Sequence, residues 1–266
     1  MRKNITLAIS LFLILSFTGC FPMRTIEGDG NIVTKKIEIT DYDVFQCAGG
    51  KMVVNYAQSS EKAELTVVTD QNILDIYTFE VEGGKLKIKP LKKYEKMYRI
   101  RPTEFTVTTN SSTIKKFDLA GDARLNVNSA LVSDKIEINI AGSGYVNLPE
   151  RAEVGEIKAS IAGSGTMNAA EMICTNYKAD IAGSGTLILG GEAGKAEFSI
   201  AGSGEVRAFD LQTKELFCSI AGSGDIEMSV SEKINAEIAG SGKVRYKGDP
   251  EIKKSVAGSG SIKKVD

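Results

Sequence analysis

The chain has 266 residues, 33 basic and 34 acidic, with a net charge of −1 and 42% hydrophobic residues. This balance supports one large or two small domains with a real core and leaves no basic excess for binding nucleic acid. With no His, Ser-His-Asp and Cys-His nucleophile pairs and His-ligated zinc are excluded.

Arg2 and Lys3 precede an apolar stretch from Ile5 to Phe17. It is too short to span a bilayer but suits the apolar region of a signal peptide. Phe17-Thr18-Gly19-Cys20 follows and resembles the bacterial lipobox, with Phe17 where Leu is usual. The expectation is a lipoprotein signal peptide over residues 1–19 and lipidation of Cys20, giving the two acyl anchors that stable attachment needs. The alternative is an ordinary secretory signal with an incidental Cys. Cleavage removes Arg2 and Lys3, so 31 basic and 34 acidic residues remain, a net of −3. Residues 20–35, with Pro22, Gly28 and Gly30 and no periodicity, read as a tether.

Residues 36–266 read as a single domain with an irregular first part, 36–115. Val44 to Gly50 looks like a divergent corner, followed by alternation from Lys51 to Tyr56. Ala63–Thr69 and Glu104–Thr108 read as strands, and Asn72–Tyr77 as a short helical turn. Phe79–Val81 and Leu86–Ile88 flank Gly83-Gly84, a hairpin signal. This part is expected to cover one end of the regular repeats that begin near residue 116; a separate domain is the alternative.

From residue 116 the tetrapeptide Ala-Gly-Ser-Gly recurs, beginning at Ala141, Ala162, Ala182, Ala201, Ala221, Ala239 and Ala257, after a degenerate copy at Ala120. Fourteen of the 27 glycines lie in these seven copies. The spacings are 21, 21, 20, 19, 20, 18 and 18 residues, the signature of a solenoid. We number positions from the residue before each Ala. Position zero is Leu119, Ile140, Ile161, Ile181, Ile200, Ile220, Ile238 and Val256. Apolar residues recur two and four places before it and six and eight places after it, with polar residues between. This is a strand, a tight corner and a second strand, each with one buried face. A variable segment too short for a helix completes each repeat.

One repeat cannot offset the cost of ordering its backbone, so the repeats must stack. The expected fold is all-β: a right-handed single-stranded parallel β-helix of 18–21-residue coils. A propeller blade would need about 40 residues, and a meander a regular hairpin signal.

In the corner, the glycines allow positive φ. Ala is read as the residue that avoids the next coil, and the seven serines as a hydroxyl ladder serving the backbone. Gly240-Ser241-Gly242-Lys243 lacks the remaining residues of a phosphate loop. Among the complete corners only Asp225 supplies a following Asp, so neither calcium nor any other metal or cofactor is expected. Cys47, Cys174 and Cys218 form no CxxC pair and read as apolar filler.

One outward line, just before position zero, reads Asn139, Ser160, Asp180, Ser199, Ser219, Glu237 and Ser255, with the outward aromatic Phe217 on the neighbouring line. Asp180, Phe217 and Glu237 are the expected ligand face for an extended glycan; an ordinary solvated face is the alternative. No catalytic residues are assigned. Glu205 and Asp225 are the one pair of acidic neighbours that would suit a polysaccharide lyase or glycosidase. Lys254 and Lys264 occupy inward positions in the last coil, which predicts a monomer that does not stack end to end.

The early strand pair, Phe45–Tyr56 and Ala63–Thr69, the Gly83-Gly84-Lys85-Leu86-Lys87-Ile88 step and the recurring Ile-Ala-Gly-Ser-Gly resemble a bacterial family described as putative auto-transporter adhesin, head GIN domain. The resemblance spans residues 36–262 and implies an envelope location, anchored by lipid in the outer membrane of a Gram-negative bacterium. An auto-transporter would carry a C-terminal membrane barrel, and residues 36–266 are not expected to form one. The resemblance transfers no catalytic residues. The expected function is a non-enzymatic adhesin or scaffold whose partners are the membrane and a glycan or surface protein, with no nucleic acid. The alternatives are a polysaccharide-active enzyme and a periplasm-facing accessory of envelope assembly or stress response.

Overall fold

The computed structural model describes residues 24–95, 98–148 and 150–266. The expected signal peptide and Cys20 lie outside the described residues. The chain forms β1 (Arg24–Glu27), β2 (Ile32–Glu38), β3 (Val44–Gly49), β4 (Val53–Gln58) and β5 (Glu64–Asp70). A single helical turn, α1 (Gln71–Leu74), leads to β6 (Tyr77–Glu82), β7 (Lys85–Pro90), β8 (Tyr98–Arg101) and β9 (Phe105–Ser111). The coils follow as β10 (Lys116–Gly121), β11 (Arg124–Val127), β12 (Leu131–Gly142), β13 (Tyr145–Leu148), β14 (Ala152–Gly163), β15 (Thr166–Gly183) and β16 (Thr186–Gly202). They continue as β17 (Glu205–Gly222), β18 (Asp225–Gly240), β19 (Lys243–Lys247), β20 (Glu251–Gly258) and β21 (Ser261–Lys264).

From β10 onward every pairing is parallel and joins equivalent positions of successive coils, as in Ile161 with Ile181 and Ile181 with Ile200. The expected parallel solenoid is therefore present. Position zero is nearly sealed in the middle coils: Ile161, Ile181 and Ile200 are each 2% exposed. As far as Tyr246 the positions expected to point inward line one continuous core with them, and Ile252 and Ile262 of the last coil pack against it. Val256, Lys254 and Lys264, also expected to point inward, are exposed because no further coil covers them.

The variable segment differs from its expected form. Between β15 and β16 the ladder runs over Thr166–Ala169, Met172–Cys174 and Asn176–Gly183, so each middle coil has a third, short paired side. Met172, Cys174, Ala193, Leu211 and Val230 point inward from it. Its length varies because the register shifts at irregularities between Ala169 and Met172 and between Ile188 and Gly190, which hide the alternation.

The corner expected at Val44–Gly50 stacks on the first coil, Ala48 on Ala120 and Gly49 on Gly121. Beyond it the ladder turns antiparallel. β3 pairs with β7, which pairs antiparallel with β6; β4 pairs with β9, then β5 and β2 follow antiparallel. The Gly83-Gly84 hairpin is where the sequence placed it; the helical turn expected over Asn72–Tyr77 runs over Gln71–Leu74, and Tyr77 already opens β6. These strands belong to the same sheet as the coils and close one end of the stack.

The tether reading of 20–35 is corrected over its described part. Arg24–Glu27 pairs with β8, and Ile32–Glu38 pairs with β5. The link between them is fixed by buried Asp70, which accepts from the Gly30 and Thr103 amides, both at 2.8 Å. Four-residue β1 is too short to show a period, and its partner is about 74 positions away in sequence.

Candidate functional site

The corner positions the outer faces. Gly142, Gly163, Gly183, Gly202, Gly222, Gly240 and Gly258 all have φ between +118° and +129°. Each lies so close to the preceding coil that an added Cβ would fall 2.3–2.7 Å from its glycine carbonyl oxygen. The serine amides close the corner: Ser203 donates to the Gly183 carbonyl and Ser223 to the Gly202 carbonyl, both at 2.8 Å. This corrects two readings. The serine side chains are exposed, and it is the backbone that satisfies the corner. The alanines also point outward and are exposed from Ala141 to Ala257, so they do not serve to clear the next coil. Since the glycines bear the close approach, Ala sits on the outer surface.

The outward line is continuous in register, Asn139–Ser160–Asp180–Ser199–Ser219–Glu237–Ser255. A neighbouring line reads Glu137–Lys158–Lys178–Glu197–Phe217–Asn235. Asp180, Phe217 and Glu237 come together on one open depression of about 600 Å³, which also takes in Lys158, Lys178, Glu197 and Asn235. Beside it, the exposed corner alanines Ala141, Ala162, Ala182, Ala201 and Ala221 form an apolar margin.

Phe217 is half-buried. Lys195 Nζ lies 4.2 Å from its ring centroid and Lys233 Nζ 5.6 Å away, from the two adjacent coils. Lys195 also pairs with Glu197 at 2.5 Å, and Lys178 with Glu197 at 2.8 Å. Hydrogen bonds from these two lysines hold the Glu197 carboxyl below its usual range. The depression thus presents an aromatic ring between ammonium groups, with carboxylates and amides around it. Composition did not show Lys195 and Lys233. Their diagonal offset of two places from Phe217 on neighbouring rungs was the available signal.

Glu205 and Asp225 are paired on adjacent coils as expected for neighbours. However, Arg207 binds Glu205 at 2.7 Å and lowers its pKa, the wrong direction for a general acid. Asp225 accepts from the Lys243 amide at 3.2 Å. Among the described residues no cluster of three or more His, Cys, Asp or Glu could hold a metal ion. Cys47, Cys174 and Cys218 are buried free thiols, and burial pushes them up to about 12, 11 and 12.

Comparison with known proteins gives a consistent set of likenesses. The family described as putative auto-transporter adhesin, head GIN domain, matches residues 41–170 and 150–250. A crystal structure of a putative lipid binding protein from Parabacteroides distasonis is 37% identical, covers 91% of this chain and 100% of its own, and superposes with a TM-score of 0.87. A putative adhesin from Parabacteroides merdae is 30% identical, with the same coverages and a TM-score of 0.84. A putative adhesin from Bacteroides fragilis, 23% identical with a TM-score of 0.65 over 90% of this chain and 100% of its own, shares the fold. No curated protein matches the chain.

Proposed function

The chain belongs to the family of putative auto-transporter adhesins with a head GIN domain, and from that premise we propose a non-catalytic, lipid-anchored envelope protein that binds an extended glycan along its coils. The observation that carries this reading is the convergence of Asp180, Phe217 and Glu237 on one open depression. A polymer laid along the stack would meet a hydrogen-bonding side chain at every rung, about 4.8 Å apart, and an aromatic edge at Phe217. An open, shallow face suits a long ligand gripped at many weak points. The family and the shared fold of crystallised adhesins support an envelope address. The lipobox-like Phe17–Cys20 supports anchoring through Cys20 in the outer membrane.

Two experiments test this reading. Intact mass and detergent partitioning of wild type and Cys20→Ala should show acylation of Cys20 and loss of residues 1–19; an unmodified wild type would refute the anchor. A glycan array with purified envelope polysaccharides should return a ligand whose affinity falls in Asp180→Ala, Phe217→Ala and Glu237→Ala. Unchanged affinity in all three would place binding elsewhere.

A further inference from the structure

At the closed end of the solenoid, β8 and the turn before it border a groove of about 810 Å³ that also takes in Gly49, Gly50 and Lys51. Its walls carry Lys51, Arg99 and Arg101 together with Tyr94 and Tyr98. The two tyrosine rings meet edge to face at 5.4 Å. Lys93 Nζ sits 4.8 Å from the Tyr94 ring centroid, and Arg24 stands beside Tyr98 in the β1–β8 register. The carboxylates here are Glu95 and Asp122, with Glu27 at the margin. Glu95 lies 4.0 Å from Lys89, and Glu27 is 3.5 Å from Arg101. Among the described residues, Arg24, Lys51, Lys93 and Arg99 have no carboxylate within 4.0 Å.

The covalent chain places this surface. Arg24 opens β1 four residues after Cys20, and four extended residues span at most about 14 Å. A lipid on Cys20 therefore holds Arg24, and with it the Tyr98 end of β8, within that reach of the headgroups. Cations with interleaved tyrosines at that depth match an anionic interface, where both residue types are favourable. The rest of the chain argues against a general basic surface, since the part after Gly19 has 31 basic and 34 acidic residues.

We propose that this groove docks on the anionic headgroups of the membrane that carries the protein. The closed end then faces the bilayer and the coils rise away from it, exposing the glycan face along their length. The geometry rests on the lipid-anchored reading, but the interaction is separable from the anchor and is tested without it.

The test uses residues 21–266, which omit the acylated Cys; crystallised relatives cover 91% of this chain with 100% of theirs, so the fold does not need the leader. Flotation is measured with vesicles of phosphatidylglycerol and phosphatidylcholine in equal parts, and with phosphatidylcholine alone. The protein should bind the anionic vesicles at low salt and release at about 1 M, where the Debye length is about 3 Å. Arg24→Glu, Lys93→Glu and Arg99→Glu together should weaken binding on the order of 100-fold. Lys243→Glu, Lys253→Glu and Lys263→Glu, which carry the same charge change at the last coils, should leave it unchanged. Equal loss in both triple variants, or equal binding to both vesicle types, overturns the proposal. Failure of acylation at Cys20 would instead show in the mass of the full chain.

Discussion

Replacing Gly202 with Ala tests the mechanics of the corner in a single methyl group. Gly202 has φ +123°, and its added Cβ would lie 2.5 Å from the Gly183 carbonyl oxygen. That oxygen already accepts the Ser203 amide at 2.8 Å. The Cβ can be admitted only by moving one coil against the next, because its position is fixed by the backbone that bears it and the oxygen it meets is itself backbone. The unfavourable dihedral costs about 1–3 kcal/mol. Loss of the Ser203 bond adds about 1 kcal/mol. The sum, about 2–4 kcal/mol, corresponds to a fall in Tm of roughly 5–15 °C for a chain of this size. Ser203→Ala, on the exposed neighbour, should stay within about 0.5 kcal/mol of wild type. Thermal melts followed by far-UV circular dichroism read both variants. A Gly202→Ala Tm equal to wild type, or an equal fall in Ser203→Ala, would refute the assignment of the corner to backbone contact.

Three further outcomes rest on burial and register. Ile200→Asp should cost several kcal/mol, because an unpaired carboxylate would enter the sealed core, whereas Glu197→Gln loses only half-exposed ion pairs and at most about 1 kcal/mol; equal melts would overturn the register. At pH 8, Cys47, Cys174 and Cys218 should resist alkylation in the native protein and react after denaturation, since burial raises all three thiols and keeps them protonated and covered; labelling of the native protein at any of them would contradict this. Lys254 and Lys264 lie on the open edge in register with Ala236 and Tyr246, and Lys264 reaches Asp249 at 2.5 Å. Lys254→Leu with Lys264→Leu should promote self-association by sedimentation, and an unchanged monomer would count against edge protection.

The coils are legible in the sequence because the same pattern is stated eight times, once in each repeat. Ile140, Ile161 and Ile181 are indistinguishable in context, so the period identifies the core face without help from any one residue. The third side is not legible, because Met172, Cys174 and Ala193 follow irregularities that shift the alternation. The closing strands carry no repeat: β2 and β9 border β5 through pairings that join distant segments, and only the Gly83-Gly84 hairpin announces itself locally. The corner's dependence on glycine is plain from the tetrapeptide, but the roles expected of its Ala and Ser do not hold. A tetrapeptide does not say which of its side chains faces out, and the outward turn of Ala201 and Ser203 follows from the φ of Gly202 between them. At the ligand face, Asp180, Phe217 and Glu237 are found by counting along strands. The ammonium groups beside Phe217 come from the rungs on either side, and so require the register.

The measurement that bears most directly on glycan binding is affinity as a function of ligand length. For the polysaccharide identified by array, a size-graded oligosaccharide series is titrated by calorimetry against residues 21–266. A ligand lying along the outward line from Asn139 to Ser255 crosses six rung intervals, about 29 Å. Binding along the coils predicts that affinity rises with each added sugar until the chain spans that length, and that Phe217→Ala lowers the whole series. Affinity that is already maximal for a mono- or disaccharide, or that is indifferent to Phe217, would contradict it.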